Sequence, residues 1–251
     1  MNPEPAFPQN LLLHEPDRGA RLVREFYEQY HERSRGDVYR PGGRQHEKIK
    51  ADYYRAQLQA QGHNENSLGL DVGCGSGIMI QGVALLHWIG IDLDHHALET
   101  TRATGIPCAA LDFTAALGFR DESFDAVMMT EVLEHLPYPS IIVREVHRVL
   151  KKHPRSGFVG SVPLDYHLHR RWKVLRGKRL SGEQTHVHHF SFHELDRLLR
   201  FYFDKVEYLP LSGTAARYPR LKLPPNLFIR DIAWTAFSPK ANPPRWELGK
   251  M

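Results

Sequence analysis

Between Leu68 and Ala84 the chain reads LGLDVGCGSGIMIQGVA. An apolar run ends in Asp71, glycines follow at every second position (Gly73, Gly75, Gly77), and a helix-compatible segment begins at once. Glycines in such a place let the backbone turn tightly and let a ligand approach main-chain N–H groups at the start of the next helix. The stretch therefore predicts a strand, a ligand-binding loop and a helix, the opening of an α/β unit. The spacing also narrows the ligand. A dinucleotide fingerprint is G-x-G-x-x-G, whereas this loop is D-x-G-x-G-x-G, with Ile78 where the third glycine would fall. A carboxylate at the strand end disfavours a pyrophosphate and suits a cationic or amino-bearing ligand.

The remainder of the chain extends the alternation. Short apolar runs (WIGIDL, IPCAAL, FDAVMMT, SGFVGSVP) are separated by helical patterns (MIQGVALL, HALETTRA, SIIVREVHRVLKK). This order predicts βαβ units around a parallel sheet covered on both faces, a doubly wound, Rossmann-like α/β sandwich. Ser191 and Glu194 have capping-box spacing before Leu195, Leu198 and Leu199, so another helix is expected there. FDKVEYLPL and LFIRDIAWTAFS have strand character and are expected to close the mostly parallel sheet as an antiparallel pair near the C-terminus. Two amphipathic patterns precede the sandwich, one at Leu22, Val23, Phe26, Tyr27 and Tyr30, the other at Ile49, Tyr53, Ala56 and Ala60. The expected organisation is an N-terminal tail and helical extension over 1–64, the sandwich over 65–240 with a basic lid near 164–190, and a loose tail over 241–251.

With 41% apolar and 25% charged residues, a chain of 251 residues can bury one substantial core. No apolar run approaches the roughly 20 residues of a membrane helix, and MNPEPAFPQN lacks the basic and apolar parts of a signal peptide. With only Cys74 and Cys108, a disulfide framework and a structural zinc site are both excluded, which points to a reducing, cytoplasmic setting. A net charge of +4 admits acidic ligands without demanding nucleic acid.

Several stations in this order resemble the class I S-adenosylmethionine-dependent methyltransferases, over roughly residues 65 to 210 and most strongly from 68 to 162. The resemblance implies that Asp71, Gly73, Cys74, Gly75 and Gly77 hold the methionyl part of S-adenosylmethionine. Asp92, 21 residues beyond Asp71 in WIGIDLD, would take the ribose hydroxyls with Leu93 beside it. Asp112 and Phe113 would meet the adenine, and Thr130 would lie near the reactive methyl. Each carboxylate has a plainer alternative. Asp92 or Asp94 would cap the following helix, and Asp112 would cap one at FTAAL.

The segment TEVLEHL bears on mechanism. Methyl transfer to a hydroxyl needs a proton acceptor, and His135, with an intrinsic pKa of about 6.5, follows the strand flanking the methyl. The same segment matches an E-x-x-E-H motif found in ubiquinone-pathway O-methyltransferases and in metal-dependent small-RNA 2′-O-methyltransferases. Glu131, Glu134 and His135 match it, and His188 in HHF stands as a downstream partner. Motifs of this wording are also frequent in metal-free bacterial enzymes, so no metal is assigned. From His167 to Leu180 the chain carries Arg170, Arg171, Lys173, Arg176, Lys178 and Arg179 and no acid. Such a lid would grip an acidic acceptor or track an RNA backbone, or be a solvated helix face with Trp172, Val174 and Leu175 packed inward. The resulting expectation is a methyltransferase acting on an oxygen or nitrogen of a small-molecule acceptor. The alternatives are a metal-assisted RNA ribose methyltransferase and a non-catalytic cofactor-binding protein of the same fold.

Overall fold

The computed structural model describes residues 43–114, 116–179 and 185–243. The pattern at Leu22–Tyr30 and the tail beyond Pro243 lie outside them. The apolar runs become β1 (Leu68–Val72), β2 (His87–Asp92), β3 (Cys108–Ala110), β4 (Ala126–Thr130) and β5 (Gly157–Pro163). All of these pair in parallel, while β7 (Asp231–Pro239) lies antiparallel between β5 and β6 (Phe203–Pro210). The order across the sheet is β3-β2-β1-β4-β5-β7-β6. The chain winds outward from β1 to β3, then returns to the other side of β1 with β4. A crevice opens at such a reversal, beyond the carboxyl ends of the two diverging strands.

Side chains alternate across the strands, so each strand feeds two cores. Ala126 and Met128 of β4 pack under Ala51, Tyr54 and Leu58 of α1 (Gly43–Ala60) and Met79 and Ile80 of α2 (Ile78–Gly82). Val127 and Met129 point the other way, toward Ile142, Val143 and Val146 of α4 (Pro139–Val149) and Leu195, Leu198 and Leu199 of α6 (Phe192–Tyr202). The helix expected from Ile49 and Tyr53 thus covers one face of the sheet, with Tyr54 and Leu58 fully buried.

Several local expectations are refined. The helix predicted over MIQGVALL stops at Gly82, where α1 comes so close that an added Cβ would lie 2.6 Å from that of Ala51. Asp94 caps α3 (His95–Ala103), its carboxylate accepting from the amides of His96 at 2.9 Å and Ala97 at 3.3 Å. Only half of the capping box forms. Ser191 accepts from the Glu194 amide at 3.1 Å, but the Glu194 carboxylate turns to His188 Nε2 at 2.8 Å. No helix occurs at FTAAL among the described residues; Asp112 instead closes a turn, accepting from the amide and hydroxyl of Thr114 at 2.8 and 2.7 Å. The basic segment forms α5 (Leu168–Leu175), and none of its residues is buried. Trp172, Val174 and Leu175 therefore do not pack inward. Short helices α7 (Thr214–Arg217) and α8 (Pro225–Phe228) precede β7, so that strand begins at Asp231, not at Leu227.

Candidate active site

At the reversal between β1 and β4, a cleft is lined by Gly73, Gly75, Asp92, Leu93, Phe113, Thr114, Glu131, Val132, His135 and Leu136. The glycine loop forms its floor. Gly73 has φ of +75°, and a Cβ there would lie 2.4 Å from Val132 Cγ2, so only glycine lets β1 turn beneath the β4 loop. At Gly75 nothing lies within 4 Å of the Cβ position, which leaves the backbone bare toward the cleft. The loop is anchored to β2: the Gly73 and Cys74 amides donate to the Ile91 carbonyl at 2.8 and 3.0 Å, and the Gly75 amide donates to Asp92 Oδ2 at 2.7 Å. Asp92 Oδ1 accepts the Asp94 amide at 2.9 Å. These two amides fix a carboxylate that can accept about four bonds at the cleft wall. Helix capping falls to Asp94, which separates the two roles open to Asp92.

Asp71 lies behind the glycines at 2% exposure and does not line the cleft. Burial, and then the nearby Asp92, push its carboxyl well above the usual carboxylate range. Because the folded-state pKa is raised, Asp71 is neutral-tolerant at low pH and destabilises the fold as pH rises above the ordinary carboxylate value. Asp71→Asn should therefore raise the melting temperature of the ligand-free protein near neutral pH, with the gain shrinking toward about pH 4. Each kcal/mol recovered corresponds to about 2–4 °C at this size. Melting curves at both pH values check this, and an equal or lower melting temperature at neutral pH contradicts it.

Of the other predicted residues, Cys74 points away from the cleft against Gly90, where an added Cβ would lie 2.6 Å from its Sγ. Burial pushes its thiol well up, so it packs and is not a nucleophile. Gly77 begins α2, and Asp112 and Thr130 stand just outside the lining. Thr114, Glu131, Val132 and Leu136 join the cleft without having been assigned to the cofactor. Val132 and Leu136 flank His135 and carry no motif of their own.

The E-x-x-E-H residues separate. Glu131, in the left-handed region at φ 56°, accepts from Lys50 Nζ at 3.3 Å and from the Ser161 hydroxyl. Lys50 is a buried cation supplied by α1. His135 sits on a 3-10 turn (Leu133–His135) with its Nδ1 3.1 Å from the Thr185 carbonyl and its Nε2 4.0 Å from Oε1 of the buried Glu134. A carbonyl only accepts, so Nδ1 carries hydrogen and Nε2 is the proton-accepting nitrogen of the neutral ring. The histidine brought here is His186, edge-on to His135 at 5.0 Å, whereas His188 is held by Glu194. Glu134, His135 and His186 offer ligand atoms all within 4.8 Å of one another.

The lid arginines are occupied. Arg170 lies on the fully buried Asp165, which His189 Nδ1 also meets at 2.5 Å, and Arg171 Nε donates to the Tyr166 carbonyl at 2.6 Å. They fasten α5 to the end of β5.

Residues 70–155 match the family described as "Methyltransferase domain". The ubiquinone biosynthesis O-methyltransferase of Xanthomonas oryzae pv. oryzae is 32% identical over 111 residues, covering 41% of this chain and 45% of that protein. The protein of the same name from Chromobacterium violaceum is 37% identical over 92 residues, 33% of this chain and 39% of its own. The chain thus spans less than half the length of these curated relatives. Among solved structures, an S-adenosylmethionine-dependent methyltransferase from Archaeoglobus fulgidus superposes with a TM-score of 0.53 at 17% identity, over 86% of this chain and all of that one. Phosphoethanolamine N-methyltransferase 2 of Haemonchus contortus, solved with S-adenosyl-L-methionine, gives 0.55 at 14% identity, over 75% and 53%. The fold is that of the class I S-adenosylmethionine-dependent methyltransferases. The part that matches the methyltransferase family, residues 70–155, runs from β1 to the turn before β5.

Proposed function

We propose that the protein is an S-adenosylmethionine-dependent methyltransferase that moves the methyl group to an oxygen of a small-molecule acceptor. The observation that carries this reading is the juxtaposition in one cleft of the bare Gly73–Gly75 backbone, Asp92 and His135. The donor set fits the cofactor. Asp92 is placed to accept from ribose hydroxyls, and Phe113 and Leu93 offer apolar walls to a base. When bound, the cofactor supplies an electrophilic methyl on a sulfonium. The chain's part is to align the acceptor, exclude water and take its proton. His135 accepts that proton at Nε2, with Nδ1–H held by Thr185 and the Glu134 carboxylate close enough to stabilise the resulting cation. An oxygen acceptor, as in the names of the curated relatives, is what gives such a base its use.

In thermal melts, S-adenosylhomocysteine should raise the melting temperature through binding to the folded state, and NAD should not. Equal shifts with both ligands would sink the cofactor assignment. A screen of acceptors with labelled cofactor then identifies the acceptor class.

The cluster of Glu134, His135 and His186 favours a second reading, in which these residues hold a divalent ion and the methyl acceptor is an RNA ribose. Mixed carboxylate and imidazole ligands suit manganese better than magnesium. Chelator sensitivity with restoration by manganese, together with salt-dependent RNA binding, distinguishes it.

A further inference from the structure

Helix α5 is turned inside out for a surface helix. Leu168, Trp172 and Leu175 recur at i, i+4 and i+7 and so form one stripe, the arrangement by which a helix ordinarily buries itself on a core. Here the stripe faces solvent, with 54%, 59% and 79% of the three residues exposed. Basic residues flank it, Arg171 on one side and Lys173 on the other, with Arg176, Lys178 and Arg179 beyond. Leu168 and Trp172 also form one wall of a cleft whose other wall is Thr214, Leu227, Phe228 and Arg230. Beyond α7 in the chain, Tyr218 and Leu221 are exposed in their turn, among Arg217, Arg220 and Lys222. Residues 166–179 contain six Lys or Arg, residues 212–230 contain four, and neither segment contains an acid.

Two demands are combined in this face: apolar side chains that gain by leaving water, and cations that gain from nearby anions. An RNA backbone meets only the second. Trp172 could stack on a base, but Leu168, Leu175 and Leu221 gain nothing from phosphates. An acidic protein surface would leave the aliphatic stripe wet unless it also presented an apolar groove. The boundary between headgroups and acyl chains of an anionic bilayer meets both demands at once, and cationic amphipathic helices with Trp and Leu on the apolar side lie in it. We propose that the α5 face docks the protein peripherally on an anionic lipid bilayer. Trp172 and Leu175 enter the interface, and Lys173, Arg176 and Lys178 meet lipid phosphates. The docking needs no spanning segment, and no described helix is long and apolar enough to cross a membrane. It stands independently of the reaction assigned to the cleft.

The test is sedimentation of the full chain with vesicles of phosphatidylcholine alone or mixed with phosphatidylglycerol, at low and high salt. Partitioning onto the anionic vesicles should exceed that onto the neutral ones by roughly tenfold or more and fall with salt. The pairs Trp172→Ala with Leu175→Ala, and Lys173→Glu with Arg176→Glu, should each lower it by about tenfold. All four residues are exposed, and unchanged melting temperatures establish that the variants are folded. A single-stranded RNA oligonucleotide supplies the opposing arm. The proposal is overturned if anionic vesicles bind no better than neutral ones, if the alanine pair binds like the original, or if only RNA binds and only the charge reversals weaken it.

Discussion

Replacing His135 by alanine is expected to lower turnover on a hydroxyl acceptor by about 10²- to 10⁴-fold while S-adenosylhomocysteine binds as before, because a general base acts on the transition state and not on the cofactor. Steady-state kinetics and calorimetry read the two halves of this statement separately. The reasoning rests on geometry. The Thr185 carbonyl commits Nδ1–H, so the proton must be taken at Nε2, on the side of the ring nearest Glu134. Glu134→Gln should then cost less than His135→Ala, since the amide keeps the shape of the wall and loses only the charge that favours the protonated ring. Chelator should leave activity unchanged. If instead chelator abolishes activity, manganese restores it, and Glu134→Ala and His186→Ala are each as damaging as His135→Ala, the histidine is a ligand and the base must be sought elsewhere. A fully active His135→Ala enzyme contradicts both accounts.

How far the sequence speaks for itself depends on how local the signal is. The order of strands and helices was legible because each strand of a doubly covered sheet is a continuous apolar run, and each run is short. Gly73, Gly75 and Asp92 were legible because one loop and one strand end are named by residue type and spacing, whereas Asp71, read with them, lies buried behind the loop. The roles of Asp92 and Asp94 could not be separated from spacing alone; hydrogen bonds assign the α3 cap to Asp94 and the cleft wall to Asp92. Long-range partners left no trace. Lys50 stands 81 positions before Glu131, and His186 stands 51 after His135, so no motif could announce either pairing. His188 had the sequence context of a ligand, yet the loop after Thr185 delivers His186 and gives His188 to Glu194. One of the readings open for the basic segment, inward packing of Trp172, Val174 and Leu175, fails at α5, where all three are exposed. Periodicity reports that a face is apolar and cannot report what covers it.

Asp92→Ala is the variant that separates cofactor binding from everything that follows it. The charged hydrogen bonds that a carboxylate makes to hydroxyls contribute about 1.5–3 kcal/mol, so losing it should weaken S-adenosylhomocysteine binding by roughly 10- to 150-fold. Part of that loss has a second origin peculiar to this site. Asp92 Oδ2 also holds the Gly75 amide at 2.7 Å, and Oδ1 holds that of Asp94, so alanine releases the loop as well as the ribose. Asp92→Asn divides the two contributions. An amide oxygen can still accept from Gly75 while its NH₂ group can no longer accept, so the loop is kept and half of the ribose recognition is lost. The asparagine variant should therefore bind with intermediate affinity, and its ligand-free melting temperature should lie above that of the alanine variant. Removing Asp92 should also ease the burial of charge at Asp71, which it now raises, so the alanine variant should lose less stability at neutral pH than at acid pH. Calorimetric affinities equal to the original in both variants would take Asp92 out of the binding site. They would leave the Gly73–Gly75 backbone and the walls at Leu93 and Phe113 to hold whatever the cleft binds.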